Sequence, residues 1–61
     1  MAVEVRNAVL RLLKEFGKLS EEELREYLKI RFGIKIDRKK LVEILKADGR
    51  FKKEKDVWYL P

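Results

Sequence analysis

Three successive cations, Arg38-Lys39-Lys40, are the sharpest cluster of chemically capable residues in the sequence. They follow Asp37, a good helix N-cap, and are therefore expected in the first turn of a helix. The N-terminus of a helix is already positive, so three cations destabilise it locally. A phosphate at this turn would meet both free N–H groups and side chains. The cluster indicates an anionic partner; the alternative is a solvated basic turn, partly neutralised by Asp37 and Glu43.

The C-terminal part of the chain, which includes this cluster, carries most of the positive charge. Residues 37–61 hold eight basic and five acidic residues, and so carry +3 of the total net charge of +5. Neutralising nucleic-acid phosphates requires an excess of this sign. Lysines on an exposed strand also block edge-to-edge pairing, so protection of a sheet edge is the alternative interpretation. The candidate nucleic-acid-binding residues are Arg38, Lys39, Lys40, Lys46, Arg50, Lys52, Lys53 and Lys55.

The outer face of the predicted third helix gives little support for base-specific recognition. With Leu41 at the centre of the inner face, Lys39, Glu43 and Lys46 lie outermost. This face has no Asn or Gln to recognise adenine, and Arg38 is its only candidate for guanine. We therefore expect salt-sensitive binding to double-stranded DNA, largely through the phosphate backbone.

Most residues on which catalysis and metal binding depend are missing from the sequence. It has no Cys and no His, which removes thiol nucleophiles, zinc–thiolate sites and the commonest general base. Ser20, the single Ser, suits a helix cap better than a nucleophile. The glutamates Glu21, Glu22, Glu23 and Glu26 are explained by the start of a helix. We expect no enzymatic activity, metal, cofactor or small-molecule substrate.

Length and composition limit the chain to one small domain, residues 1–61. A chain of this size buries about 60% of its unfolded surface, so its core is small. Charged residues reach 44%, Gln and Thr are absent, and Asn7 is the only Asn. Thermophile proteins and designed mini-proteins share this composition. No apolar run approaches the ~18 residues of a membrane span and no signal peptide is visible, so we expect a cytoplasmic protein without membrane contact.

Two helices are predicted in the first half from apolar residues at three- and four-residue spacing. The first ends at Gly17, a C-cap. The second opens with the capping box of Ser20 and Glu23 and fades near Phe32-Gly33. The expected buried residues of these helices are Ala2, Val5, Val9, Leu12, Leu13, Phe16, Leu24, Tyr27 and Leu28.

A short extended segment and a third helix follow. Ile34-Lys35-Ile36 is β-branched and alternating, which predicts a one-bridge strand or an extended linker. Asp37 then caps a helix that ends at Gly49. The expected inner face of this helix is Leu41, Ile44 and Leu45.

After Gly49 the apolar period changes to two. Arg50-Phe51-Lys52-Lys53 and Val57-Trp58-Tyr59-Leu60 predict a hairpin around the four-residue loop Lys53-Glu54-Lys55-Asp56. Two strands alone are not stable in water, so the hairpin must pack on the helices. Its expected packed face is Phe51, Trp58 and Leu60.

This order of elements resembles the winged helix-turn-helix superfamily over essentially the whole chain. The cues are Leu19-Ser20-Glu21-Glu22-Glu23-Leu24, and Asp48-Gly49-Arg50-Phe51 followed by Val57-Trp58-Tyr59-Leu60. The ending is similar to the wing of HARE-HTH-type modules, such as that of the bacterial RNA polymerase delta subunit. The resemblance implies an α+β winged helix: a three-helix bundle with a short strand and a C-terminal β-hairpin wing. It also implies nucleic-acid binding, with the third helix in the major groove and the wing on the backbone or minor groove.

Fold alone does not decide function, because many winged helices dock proteins instead. Leu10 and Ile30 lie off the main stripes of their helices, and with Val3 they would form an apolar patch typical of a protein partner. The alternative function is therefore protein docking in transcription or replication machinery, with a homodimer as one form of it. A small scaffold without a ligand is a third possibility. The leading hypothesis is a non-catalytic DNA-binding module from a thermophilic prokaryote or archaeon.

Overall fold

A computed structural model describes residues 2–61 as three helices and one small sheet. The strand order is β1-β3-β2, and both pairings are antiparallel. This layout confirms the predicted fold class, an α+β winged helix with a C-terminal hairpin wing. Within residues 2–61, no helix combines the length and apolar character needed to cross a bilayer. In chain order the elements are α1 (Ala2–Phe16), β1 (Lys18–Ser20), α2 (Glu21–Phe32), α3 (Arg38–Lys46), β2 (Lys52–Glu54) and β3 (Val57–Tyr59).

The limits of α2 are set by local side-chain chemistry. Ser20 Oγ accepts from the Glu23 N–H at 3.1 Å, and Glu23 Oε1 accepts from the Ser20 N–H at 2.8 Å. These reciprocal bonds satisfy two of the N–H groups that a helix start leaves free. The helix ends at Gly33, whose φ of +67° suits a residue without a Cβ. The predicted capping box and helix end are confirmed.

The third helix begins as predicted but ends earlier. Asp37 Oδ1 accepts from the Lys40 N–H at 2.7 Å, which confirms the N-cap. Helix α3 stops at Lys46, and the predicted terminator Gly49 lies in the turn beyond it. The Asp48 N–H bonds to the Leu45 carbonyl at 3.1 Å. This tighter bond, spanning three residues, closes the helix before Gly49 is reached.

The core lies between the three helices and one face of the sheet. Phe16 was expected to belong to it but is 41% exposed, with its ring stacked on Tyr27 at 4.8 Å between centroids. Phe16 is the last residue of a helix about 22 Å long, so it extends past a small core although it has the right helical angle. Tyr27 and Leu60 are half-buried. The buried cluster is Val5, Ala8, Val9, Leu12, Leu13, Leu19, Leu24, Leu28, Leu41, Ile44, Leu45, Phe51 and Trp58.

The short strand is not where the sequence predicts it. Strand β1 lies at Lys18–Ser20, whereas residues 34–36 form an extended linker. The Ile34 N–H donates to the Leu28 carbonyl at 2.9 Å, and the Ile36 carbonyl accepts from Arg25 Nε at 3.0 Å. The strand prediction at 34–36 is wrong and the linker alternative is right, because α2 satisfies these backbone groups.

The wing turns more tightly than predicted. Glu54 pairs directly with Val57, which leaves the two-residue loop Lys55-Asp56 instead of four residues. Lys55 has φ +60°. A non-glycine residue pays about 1–2 kcal/mol for this left-handed conformation. The turn therefore holds a lysine in a backbone conformation that its Cβ disfavours.

Replacing Lys55 by Asn is expected to raise the free energy of unfolding by roughly 0.5–1 kcal/mol, because Asn tolerates positive φ better than Lys. The matched control is Lys55→Gln, which removes the same charge without relieving the backbone. Thermal unfolding followed by circular dichroism measures both; 1 kcal/mol corresponds to about 4–8 °C in Tm for a domain of this size. Equal Tm values for the two variants would show that the turn holds no relievable strain.

Candidate nucleic-acid interface

Glu21 is the buried charged residue among residues 2–61, with 2% of its surface exposed. As the first residue of α2 it directly follows the Ser20 cap, which fixes where its side chain leaves the helix. Its own N–H donates to the Asp56 carbonyl at 3.0 Å. That bond ties the first turn of α2 to the tip of the wing.

Three donors surround the Glu21 carboxylate. Arg38 Nε donates to Oε1 at 2.7 Å, and Trp58 Nε1 donates to Oε2 at 3.0 Å. Lys53 Nζ lies 3.1 Å from Oε2. An unpartnered carboxylate in this position would be strongly unfavourable, so these donors are what stabilise an ionised group in the interior. One side chain of α2 thereby joins α3 and both strands of the wing.

The same contacts set the protonation of Glu21. Burial by itself raises the pKa of this carboxyl, but hydrogen bonds from Arg38, Trp58 and Lys53 outweigh it and hold the pKa below its usual value. The bond to Glu21 in turn raises the pKa of the Arg38 guanidinium. Both groups are charged at neutral pH, and the pair is an ion pair.

The role of Glu21 was missed at the level of sequence. Acidic residues at a helix start are favoured by the dipole, and this explains the exposed Glu22 and Glu23. Glu21, however, stands three positions before Leu24 and seven before Leu28, both of which are fully buried. Helical periodicity therefore puts it on the inner face. That spacing was the available signal.

Four of the eight predicted cations line one groove between α3 and the wing: Arg38, Lys39, Lys46 and Lys53. Val42 and the carboxylates of Glu21 and Glu43 complete the lining of this groove of about 550 Å³. We call it the α3–wing groove. Two of its cations, Arg38 and Lys53, contact the Glu21 carboxylate, and the other two are free of it.

Lys39 and Lys46 are the free cations. Both are exposed, and no carboxylate of residues 2–61 lies within 4.0 Å of either ammonium group. Glu43 lies on the same face between them and lowers the local positive potential. Arg38 and Lys53 share the negative charge of Glu21, so their attraction for a distant anion is weaker than their number suggests.

Arg50 is engaged elsewhere. Its Nη2 donates to Asp48 Oδ2 at 2.8 Å, and its Nε donates to Oδ1 at 3.1 Å. Arg6 Nε approaches the same carboxylate at 3.6 Å. Hydrogen bonds from the Arg50 side chain and backbone are the main reason that the pKa of Asp48 falls to about 2. The Arg50 side chain therefore stabilises the turn after α3.

The remaining predicted cations lie outside the α3–wing groove. Lys40 lines a separate cavity with Val5 of α1 and Ile36 of the linker. Lys52 and Lys55 are exposed on the wing. The predicted basic surface is thus divided among the groove, the wing and the opposite side of α3.

Comparison with protein-family models, curated proteins and solved structures gives no match to this chain. The winged-helix architecture is therefore defined here by the element order and sheet topology of the chain itself. The function has to be inferred from the geometry and charge of the groove.

Glu21→Gln is expected to lower the free energy of unfolding by about 1–3 kcal/mol, because the amide cannot accept from all three donors and leaves a buried polar group unsatisfied. The control is Glu22→Gln at the next position, an exposed side chain whose partner Arg25 lies 3.3 Å away. Surface pairs of that kind contribute about 0–1 kcal/mol. Urea unfolding followed by Trp58 fluorescence measures both. Equal midpoints would contradict a structural role for Glu21.

Stability is expected to fall as the solution is acidified from about pH 5 to about pH 2. A carboxylate with a lower pKa in the folded than in the unfolded state stabilises the fold fully above its unfolded pKa. This stabilisation is lost as pH approaches the folded value. For Asp48 the window runs from 3.8 down to about 2. Asp48→Asn should flatten the dependence of Tm on pH across this window, and parallel curves for variant and wild type would contradict the assignment.

Proposed function

We propose that this protein is a non-catalytic DNA-binding module of the winged helix-turn-helix superfamily. It binds double-stranded DNA through α3 and the wing, largely by phosphate contacts. The observation that carries the proposal is the pair of free, exposed lysines, Lys39 and Lys46, on one face of α3. They stand seven residues apart, which is about 10 Å along the helix axis, and the major groove is about 12 Å wide.

The shape of the site supports the same partner. Helix α3 has nine residues, and the major groove of B-DNA admits an α-helix. Glu21 holds the wing beside α3 through Lys53 and Trp58. Exposed Lys52 and Lys55 on the wing then supply further cations for the backbone that flanks the groove. A role in transcription follows from the superfamily resemblance alone.

The protein-docking alternative gains no specific support. Val3 and Ile30 are 58% and 68% exposed, but they lie on different helices. Leu10, the third member of the predicted patch, is partly buried against the core. Docking remains the function to pursue if duplex DNA does not bind.

The test is fluorescence-anisotropy binding to a mixed-sequence duplex over a salt series, with Lys39→Gln/Lys46→Gln and a matched control. Removing two phosphate contacts should reduce the slope of log affinity against log salt by about 2 and weaken binding at low salt. The control, Lys14→Gln/Lys29→Gln, makes the same charge change at exposed lysines of α1 and α2 outside the α3–wing groove. Its slope should stay near that of the wild type.

Two results would count against this function. An equal loss of slope in the two double variants would mean that net charge, and not the α3–wing groove, drives binding. A wild-type protein that does not bind duplex even at low salt would exclude the DNA-binding proposal and favour protein docking.

A further inference from the structure

Unlike the lysines of the α3–wing groove, Arg38 carries three side-chain nitrogens, and one of them is already bound to Glu21. Its Nε donates to Glu21 Oε1 at 2.7 Å, while the side chain remains 59% exposed. Within residues 2–61 the two terminal nitrogens, Nη1 and Nη2, make no hydrogen bond. A free arginine loses about 2 kcal/mol of rotamer entropy when it is fixed by a ligand. Much of that loss has occurred in Arg38 before any ligand binds.

The carboxylate behind Arg38 is itself buried and hydrogen-bonded. Glu21 is 2% exposed, and its second oxygen accepts from the indole N–H of Trp58, which is also 2% exposed. The backbone of Glu21 is anchored to the Asp56 carbonyl. Base recognition requires a side chain held by such a supporting layer. Trp58 positions Glu21, and Glu21 positions Arg38.

The two free nitrogens of Arg38 could donate to a phosphate or to the edge of a guanine, and these two ligands differ in charge. A phosphate placed against Arg38 would also approach the carboxylate of Glu21, and the like charges would repel each other. The edge of guanine offers two acceptors, O6 and N7, and carries no net charge. An arginine paired to a buried carboxylate is therefore better suited to a base than to a phosphate.

We propose that Arg38 recognises a guanine in the major groove, with its terminal nitrogens donating to O6 and N7 and with Glu21 as its positioning residue. The proposal rests on the proposed DNA-binding function and adds a base preference to it. The location fits, because the first residues of a recognition helix are those that contact base edges and Arg38 is the first residue of α3. It adds one base contact to binding that is otherwise largely through the phosphate backbone.

The first experiment is selection from a randomised duplex library, followed by affinity measurements on the selected site. The wild type should enrich a guanine at one position, and changing that base should weaken binding roughly 5- to 150-fold, the range of a bidentate contact. Arg38→Lys keeps the charge and removes the fork. It should weaken the guanine preference, because a lysine ammonium can still donate to O6 or N7 but lacks the fork held by Glu21. Its salt slope should stay within about 1 of the wild type.

Two controls isolate the contact. Arg31→Lys makes the same chemical change at an exposed arginine of α2 that pairs with Glu15 at 3.0 Å, and it should keep the preference. Replacing the selected guanine by 7-deazaguanine removes one acceptor and leaves the base pair intact. This analogue should weaken binding by the wild type more than binding by Arg38→Lys.

The positioning role of Glu21 is tested with Glu21→Gln. This variant should reduce the guanine preference and steepen the salt dependence, because a negative charge beside Arg38 is removed. A purely structural role would lower the melting temperature without lowering the guanine preference of the protein that remains folded. If Glu21→Gln does not fold, Trp58→Phe removes the donor that holds Glu21 and should lower the preference in the same direction.

The outcomes distinguish the base preference from DNA binding itself. Salt-dependent binding to duplex without guanine enrichment overturns the proposal for Arg38 and leaves the proposed function standing. A guanine preference that is undiminished in Arg38→Lys also overturns it. Absence of duplex binding at low salt overturns both.

Discussion

The buried carboxylate of Glu21 is the interaction on which the rest of this small structure depends. It connects the start of α2 with the start of α3 through Arg38 and with both strands of the wing through Lys53 and Trp58. Replacing a whole buried ion pair by apolar side chains is often neutral or stabilising, because no charge then has to be desolvated. An apolar side chain at Glu21 alone would instead leave the buried indole N–H without a partner and Arg38 without an orientation. The carboxylate therefore specifies how the wing sits against α3.

This arrangement divides the basic residues into two groups with different physical roles. Arg38, Lys53 and Arg50 each contact a carboxylate, which largely neutralises their charge within the protein. Lys39 and Lys46 are long, exposed and unpaired in the described chain, and they carry the long-range attraction for an anion. Net charge alone would count all of these residues equally. Under the proposed function, fewer cations are therefore free to contact phosphates than the +5 charge suggests.

Much of the fold is predictable because its signals are local. The capping box at Ser20, the cap at Asp37 and the end of α2 near Gly33 each depend on residues within a few positions, and all three predictions are confirmed. The misplaced strand concerns contacts distant in sequence. A strand exists only where a partner edge is available, so Lys18–Ser20 forms one beside β3, whereas residues 34–36 have the better pattern and no partner. The burial of Glu21 could have been predicted from its helical spacing, but its partners on α3 and the wing lie 17 and 37 positions away and could not.

The position of β3 in the sheet has a consequence for how the chain acquires its structure. β3 is the last strand in sequence but the central one in the sheet, so β1 and β2 have no strand to pair with until β3 is in place. The indole of Trp58 and the carboxylate of Glu21 are 37 positions apart, and their contact closes a long loop. Loop closure of that kind is entropically unfavourable until the docked wing compensates for it. The helices depend on local signals, but the α3–wing groove cannot be complete before β3 pairs and the wing docks. A partly folded chain therefore displays the cations without the Glu21 contacts that arrange them.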